Sequence, residues 1–180
     1  MTKTASIHSS AELLLIRDQV ILRLPAAASD MLPSRGQVAV RGTINGQELR
    51  TMLEPDGYSG HWMRLDAALR RAVGAGPGDT VTLDFVVSKD WPEPESPEDL
   101  ASALRAAPQK VQEKWKAITS MARWEWVRWV NETRNPDTRA VRIEKTISKL
   151  NGNHRRPCCF NLAACTDAGL SKSGKLAVEP

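Results

Sequence analysis

A tryptophan-rich stretch, Trp115–Leu150, is the feature that most limits how this chain can fold. It holds four of the six tryptophans in the 180-residue chain. Its apolar residues recur at steps of three and four, which is the spacing of one face of an α-helix. The residues on that face are Trp115, Ile118, Ala122, Trp126 and Trp129. We therefore expect a helix that packs by this face, with the indole rings of Trp115, Trp126 and Trp129 buried.

Asn135-Pro136-Asp137 marks the end of this helix, because proline disfavours the helical conformation in the residue before it. We expect the helix to begin at Val111 and to end near Arg134. A second helix follows and stops at Asn151-Gly152. Its narrower apolar stripe consists of Ala140, Ile143, Ile147 and Leu150. The two helices are predicted to form an antiparallel hairpin.

The N-terminal half carries the pattern of a small β-barrel or sandwich. In Gln37–Leu53, apolar alternation surrounds Asn45-Gly46, the dipeptide best suited to a two-residue hairpin turn. Several short strands at close spacing are typical of these all-β architectures. Ala11–Ile16 and Val20–Leu24 are predicted as two strands or as one strand with a bend. Further strands are predicted at Tyr58–Leu65 and Asp79–Val87, and helical segments at Ala26–Leu32 and Ala67–Val73. The predicted fold class is α+β, a small N-terminal β-barrel followed by a C-terminal helical hairpin region.

Composition suggests the domain boundaries. Residues 90–97, DWPEPESP, combine three prolines with acidic residues, which is typical of a semi-rigid linker. A short helix is predicted from Ser96 or Pro97 to Pro108. We predict four segments: a barrel domain at 1–90, a Pro-rich acidic linker at 91–97, a helical region with the tryptophan-rich hairpin at 98–150, and an irregular basic tail with cysteines at 151–180.

The formal charge of +4 is unevenly distributed. Residues 109–150 carry ten Lys or Arg against five Asp or Glu, whereas residues 1–108 carry eleven against fourteen. Such basic helices can attract phosphates, but no nucleic-acid-reading motif accompanies the charge, so nucleic acid is disfavoured as a partner. No apolar run approaches the ~20 residues of a membrane helix, and the N-terminus lacks a signal-peptide pattern. We expect no membrane insertion and a cytoplasmic location.

His61 and four other residues form a candidate ligand site. His61 lies beside Trp62 on a predicted barrel strand, where its ring could face a pocket. Arg41, Tyr58 and Arg70 could line the same pocket and bind a small anionic molecule. The competing interpretation, which we favour, is a half-exposed strand histidine beside surface arginines. No residue is assigned a catalytic role, because no nucleophile is paired with a base by the sequence alone.

The tail contains residues that are able to bind a metal ion. His154, Cys158, Cys159 and Cys165 carry donors suited to zinc. Their spacing is not that of a known zinc finger or ribbon, and the cysteines can equally be small packing residues. No Gly-rich phosphate loop, dinucleotide-binding motif or paired-carboxylate motif is found. We predict no metal and no cofactor.

Longer stretches resemble two known families. VRGTING at Val40–Gly46, with the segment Gly57–Trp62, resembles a bacterial β-barrel domain of unknown function. Residues 122–150 resemble the family labelled bacteriocin-protection, YdeI or OmpD-associated. The residues that carry this second resemblance are Arg123, Glu125, Thr138, Arg139, Arg142, Ile143 and Leu150. The two resemblances imply a barrel followed by helices, and they name no reaction and no catalytic residue.

We therefore expect a non-enzymatic binding or stress-protection protein. It would take a small anionic ligand or a protein partner in the barrel, or in a cleft between the barrel and the helices. Two alternatives remain open from the sequence. One is an enzyme of unassigned chemistry centred near His61, and the other is weak nucleic-acid association through the basic helices. The sequence does not indicate an oligomeric state.

Overall fold

The computed structural model describes residues 6–158 and 160–178. These residues divide into two compact units. The barrel unit comprises residues 6–91, 162–165 and 172–178. The helical unit comprises residues 92–158, 160–161 and 166–171.

Six antiparallel strands close the barrel, and two short helices accompany them. The strands are β1 (Ser6–Ile16), β2 (Gln19–Arg23), β3 (Val38–Ile44), β4 (Gln47–Pro55), β5 (His61–Arg64) and β6 (Thr80–Val87), and the helices are α1 (Ala26–Asp30) and α2 (Ala67–Val73). The order around the barrel is β1-β2-β5-β4-β3-β6. With the helices that follow, this architecture confirms the predicted α+β class.

Apolar side chains fill the interior of the barrel. The strands alternate, so every second residue points inward and joins a single core. The most deeply buried members are Ile7, Leu13, Leu22, Val40, Ile44, Leu53, Met63, Leu65, Val81, Leu83 and Phe85. Burying a side chain of this size contributes about 1.5–3 kcal/mol. The interior is therefore a packed core that stabilises the barrel.

The Asn45-Gly46 turn joins β3 to β4 and confirms the predicted hairpin. Both turn residues have positive φ angles, 49° and 78°, as a two-residue turn of this kind requires. Pairing runs without interruption from Ile44 opposite Gln47 to Val38 opposite Leu53. The turn thus fixes which side chains of β3 and β4 face each other.

Gly42 lets β3 approach β6 closely. A Cβ atom at this position would lie 1.9 Å from the backbone carbonyl oxygen of Asp84. That distance is far below van der Waals contact, so any other residue would force the two strands apart. The outer faces of β3 and β6 consequently lie side by side, with Arg41 opposite Val86 and Thr43 opposite Asp84.

Asp56 organises the loop between β4 and β5. Its carboxylate is fully buried and accepts hydrogen bonds from Arg23, at 3.0 Å from Nε and 2.7 Å from Nη2. It also accepts the backbone N–H groups of Tyr58 and Gly60. The backbone carbonyl of Asp56 accepts the N–H of Leu176, so the C-terminal residues of this unit are tied to the loop. Buried charges of this kind are tolerated because they are paired and hydrogen-bonded.

Part of the C-terminal region is regular. Two short strands, β7 (Ser171–Lys172) and β8 (Lys175–Leu176), pair with each other. Leu176 is buried within the barrel unit, as are Ala164 and Cys165. The segment predicted as an irregular tail therefore contains a small hairpin and contributes to the core.

The described part of the helical unit contains four helices. They are α3 (Glu98–Ala106), α4 (Gln109–Ala117), α5 (Ser120–Asn131) and α6 (Pro136–Asn151). The prediction of one continuous helix from Val111 to about Arg134 is wrong, because the backbone is extended at Ile118 and Thr119. The side chain of Thr119 caps α5 by accepting the N–H of Ala122, so α5 begins as a helix separate from α4.

The tryptophans contribute unequally to the helical core. Trp126 is completely buried, and Ile118 and Ala122 lie in the same cluster. Trp115 and Trp129 are only partly buried and pack against its edge. Trp129 meets Trp126 edge-on, with ring centroids 5.9 Å apart. The prediction that all three rings are buried is confirmed for Trp126 and holds in part for the other two.

Arg123 fixes the break between α4 and α5. Its Nη1 donates to the carbonyl oxygens of Trp115 and Ile118, which α4 leaves without helical partners. Its Nε and Nη2 donate to the two carboxylate oxygens of Glu93, at 2.7 and 2.6 Å. These bonds, with one from Ser120, hold the pKa of Glu93 below its usual value. The acidic segment before α3 is thereby attached to α5.

Two further arginines hold the connection between α5 and α6. Arg139 donates hydrogen bonds to both carboxylate oxygens of Asp99 and to the carbonyl oxygen of Val130, near the end of α5. The hydrogen bonds from the Arg139 guanidinium group lower the pKa of Asp99. Arg142 donates to the carbonyl of Trp129 and lies over that indole ring, 5.2 Å from its centroid.

Replacing Arg123 with Met should destabilise the helical unit. The change leaves carbonyl groups at the end of α4 unsatisfied and removes two charge-assisted hydrogen bonds to Glu93. We expect the free energy of unfolding, measured by urea denaturation with tryptophan fluorescence, to fall by about 2–4 kcal/mol. Lys145→Met removes a cation from an exposed position of α6 and should change it by less than about 0.5 kcal/mol. Equal effects of the two substitutions would contradict the role assigned to Arg123.

Candidate functional site

The five predicted ligand-binding residues occupy four places in the barrel unit. Tyr58 lies in the Asp56 loop, and His61 and Trp62 begin β5. Arg41 lies on the outer face of β3, and Arg70 lies on α2. Among the described residues, no hydrogen bond, ion pair or ring contact joins Arg41 or Arg70 to the other three. The shared pocket therefore remains a prediction that these contacts do not support.

His61 is enclosed by the barrel. It is 0% exposed, its backbone N–H donates to Ser29 Oγ, and its ring Nε2 lies 3.0 Å from the carbonyl oxygen of Gly36. Burial lowers the pKa of His61 below the ordinary value of 6.5, and the Gly36 carbonyl and the Asp56 charge only partly oppose this shift. The ring is therefore neutral near pH 7 and donates through Nε2. Its buried Nδ1 has no hydrogen-bond partner among the described residues.

Trp62 and Tyr58 also make internal contacts. The indole N–H of Trp62 donates to the carbonyl of Pro55 at 3.1 Å, and the side chain is almost fully buried. Two cationic side chains lie over the ring of Tyr58, Arg23 at 5.4 Å and Lys175 at 5.2 Å from its centroid. These contacts explain both aromatic residues by packing within the barrel unit.

Arg41 has a partner position that the sequence analysis missed. Arg50 on β4 lies directly opposite Arg41, and both side chains are exposed on the outer face of the barrel. We call these two residues the arginine pair. They line an open depression of about 480 Å³ whose other lining residues are Gly42, Thr43, Glu48, Leu49 and Val86. None of the other four predicted ligand residues lines it.

The arginine pair is unusual because like charges directly opposite in a sheet are destabilising. Within residues 6–158 and 160–178, neither guanidinium group has a hydrogen-bond or ion-pair partner. Glu48 lines the same depression, yet it pairs with neither arginine. The depression thus gathers charged groups that are uncompensated by this chain and remain open to solvent.

The register made Arg50 predictable in principle. Residues equally distant from a two-residue turn face each other. Counting outward from Asn45-Gly46 places Thr43 opposite Glu48 and Arg41 opposite Arg50. The predicted hairpin therefore already contains the signal that pairs the two arginines.

Fewer basic side chains of the helices are free to bind an external anion than the charge count of the sequence suggests. Five of the ten basic residues in 109–150 make contacts inside the helical unit, namely Lys114, Arg123, Arg128, Arg139 and Arg142. Arg128 is almost fully buried, with Nε 3.3 Å from Thr166 Oγ1 and its guanidinium group over Phe160. These contacts reduce the positive charge that the helices offer to nucleic-acid phosphates.

Glu125 is a buried carboxyl group on α5. Burial raises its pKa, although Arg156 at 3.1 Å and Arg128 both favour the charged form. Arg156 belongs to the segment that follows α6, and the neighbouring Arg155 carbonyl accepts the indole N–H of Trp126. These contacts attach that segment to α5, so Glu125 is explained by packing within the helical unit.

The described residues give no arrangement of His, Cys, Asp and Glu side chains suited to hold a metal ion. Cys158 is exposed, and Cys165 is buried with its backbone N–H donating to the Gly174 carbonyl. Cys159 lies outside the described residues. In residues 6–158 and 160–178, no helix has the length and apolar character needed to cross a bilayer.

Two family models match the chain, one in each half. Residues 5–85 match a domain of unknown function, DUF1905. Residues 93–153 match the family described as "Bacteriocin-protection, YdeI or OmpD-Associated". No curated protein matches the chain. These matches confirm both resemblances found in the sequence.

His61→Gln should reduce the pH dependence of stability. In the unfolded chain the imidazole binds a proton near its ordinary pKa, whereas the buried ring resists protonation. Stability is therefore unaffected by this group above about pH 6.5 and declines as the pH falls below that value, where the unfolded chain takes up the proton first. We expect the free energy of unfolding, from urea denaturation, to decline less over this range in the variant. His154→Gln, at an exposed position, is the control, and identical declines in wild type and His61→Gln would contradict the prediction.

Proposed function

We propose that this chain is a non-enzymatic binding protein that takes a small anionic ligand on the outer face of its barrel. One observation carries the proposal: Arg41 and Arg50 lie directly opposite each other, exposed and without partners in the described chain. An anion placed between them would turn mutual repulsion into two attractive contacts. The open depression around the pair gives such an anion room to bind.

The chemistry of arginine favours oxyanions. Each guanidinium group is planar and always charged, and it presents N–H donors in a fork that matches the oxygens of phosphate or carboxylate. Two forks on neighbouring strands can contact one anion from two sides. The strands are held rigidly by the hairpin register, so little backbone ordering is needed on binding.

The barrel interior and His61 support this function less well. The interior is filled by the apolar core, and the ring of His61 is enclosed within the barrel unit. An enzyme centred on His61 would need a substrate to reach a side chain that solvent does not reach. The arginine pair meets the first requirement of a binding site, which is access.

Replacing either arginine should weaken anion binding. We expect Arg41→Gln and Arg50→Gln each to weaken inorganic phosphate binding about three- to tenfold, since each removes one exposed charged contact. Isothermal titration at low ionic strength measures the affinity, and rising salt should weaken it because the pair is exposed.

Arg71→Gln is the matched control. Arg71 is an exposed arginine of α2 in the same unit, with no partner in the described chain, so the substitution changes the net charge by the same amount. It should leave the phosphate affinity unchanged. If wild-type protein does not bind phosphate or sulfate, or if all three variants weaken binding equally, the proposal is wrong.

A further inference from the structure

The depression beside the arginine pair also contains an acidic group. Glu48 lies directly opposite Thr43, two positions closer to the turn than Arg50, and both residues line the depression. Residues two positions apart on a strand point to the same face and lie about 7 Å apart. The outer face of the hairpin therefore presents two positive groups at one end and a carboxylate with a hydroxyl group at the other.

Glu48 does not neutralise the arginines. No ion pair joins it to Arg41 or Arg50, and its carboxylate has no partner in the part of the chain that the structure describes. A carboxylate so close to an anion site would repel a simple anion. It would attract a ligand that carries a positive group beyond its negative one.

The charges that line the depression specify a complementary ligand. Two guanidinium groups match a dianion, and one carboxylate matches one ammonium group. A phosphate monoester carries a charge of about −1.5 to −2 at pH 7. We infer that the ligand is a small phosphorylated amine, with its phosphate between Arg41 and Arg50 and its ammonium group at Glu48. This inference rests on the proposed function and names the ligand class for the same site.

Apolar atoms lie where the body of such a ligand would rest. Leu49 separates Glu48 from Arg50 along β4, and Val86 lies beside Arg41 on β6. Both residues line the depression. The methylene groups of a short alkyl chain would contact Val86 while the charged ends reach their partners; the Leu49 side chain points to the other face and packs against the barrel core.

The surroundings argue against a long polyanion. Asp84 on β6 lies opposite Thr43, on the same outer face as Glu48, and it is paired with His8 at 3.2 Å. A nucleic-acid backbone crossing the arginine pair toward the turn would meet these carboxylates. A phosphodiester also carries one charge per phosphate, which would leave one guanidinium group without a full counter-charge.

Four probe compounds test the inference on the intact protein by isothermal titration at about pH 8, where the phosphate monoester is dianionic. They are O-phosphoethanolamine, ethyl phosphate, ethanolamine and glycerophosphoethanolamine. We expect O-phosphoethanolamine to bind about fivefold more tightly than ethyl phosphate, which lacks the amine. Glycerophosphoethanolamine, a diester, should bind more weakly, and ethanolamine should show no binding.

Glu48→Gln separates this inference from the proposed function. The substitution should abolish the preference for O-phosphoethanolamine over ethyl phosphate while ethyl phosphate still binds. Glu12→Gln, at an exposed position of β1, is the matched control and should retain the preference. Equal binding of the two monoesters by wild type, or an unchanged preference in Glu48→Gln, overturns the inference and leaves the anion site standing. Failure of both monoesters to bind overturns the proposed function as well.

A phosphate linked to an amine also occurs in a lipid headgroup, so a final experiment uses lipid vesicles. Phosphatidylethanolamine presents its amine beside a phosphodiester, whereas the arginine pair matches a monoester dianion. We expect no retention of the protein on vesicles of phosphatidylcholine and phosphatidylethanolamine in a sedimentation assay. Retention that requires phosphatidylethanolamine and is lost in Arg50→Gln would overturn the choice of a soluble monoester.

Discussion

The positive φ angles at Asn45 and Gly46 are the constraint on which the candidate site depends. They set the register of β3 and β4, and the register decides which side chains share a face. A slip of one residue would move every side chain of one strand to the opposite face. Arg50 would then no longer share a face with Arg41, and the apolar residues of the slipped strand would leave the core. The core that holds the hairpin in register therefore also holds the arginine pair together.

The sequence predicted the features that are encoded locally. The hairpin turn follows from one dipeptide, and α2 has the predicted bounds because Asp66 caps its start and Gly74 adopts a left-handed conformation at its end. Features that depend on partners distant in the sequence were missed. The break between α4 and α5 is stabilised by Arg123, whose partner Glu93 lies thirty residues earlier. Helical periodicity alone continues across such a break, because apolar residues on both sides enter one core.

The candidate site divides in the same way. The sequence indicated Arg41 as an anion-binding residue. Identifying Arg50 required the register of the hairpin, and identifying Glu48 required all the residues that share the outer face with the arginine pair. His61 was chosen because histidines are chemically versatile, yet its burial depends on how β5 meets the Asp56 loop and α1. Sequence patterns indicate which residues have useful chemistry, whereas packing decides which of them solvent can reach.

Arginines perform two different tasks in this protein. Arg123, Arg139 and Arg142 carry much of the resemblance to the bacteriocin-protection family, and each donates to backbone carbonyls near helix ends. Their positions are explained by the fold of the helical unit. The arginine pair has no such structural explanation, since it stabilises no carbonyl, carboxylate or ring within the described chain.

An opposed like-charge pair in a sheet costs on the order of 0.2–1 kcal/mol, which a core of this size tolerates easily. This destabilisation is small, but no contact within the described chain compensates for it. Salt screens the repulsion between exposed charges, and an anion bound between them removes most of what remains. Because the backbone positions of both arginines are fixed by the strand register before binding, an anion gains two charged contacts without ordering a loop. A solvent-facing pair of cations on a rigid sheet is thus a small cost in the free protein and a source of affinity in the bound one, which is why we propose that the ligand binds on this face of the barrel.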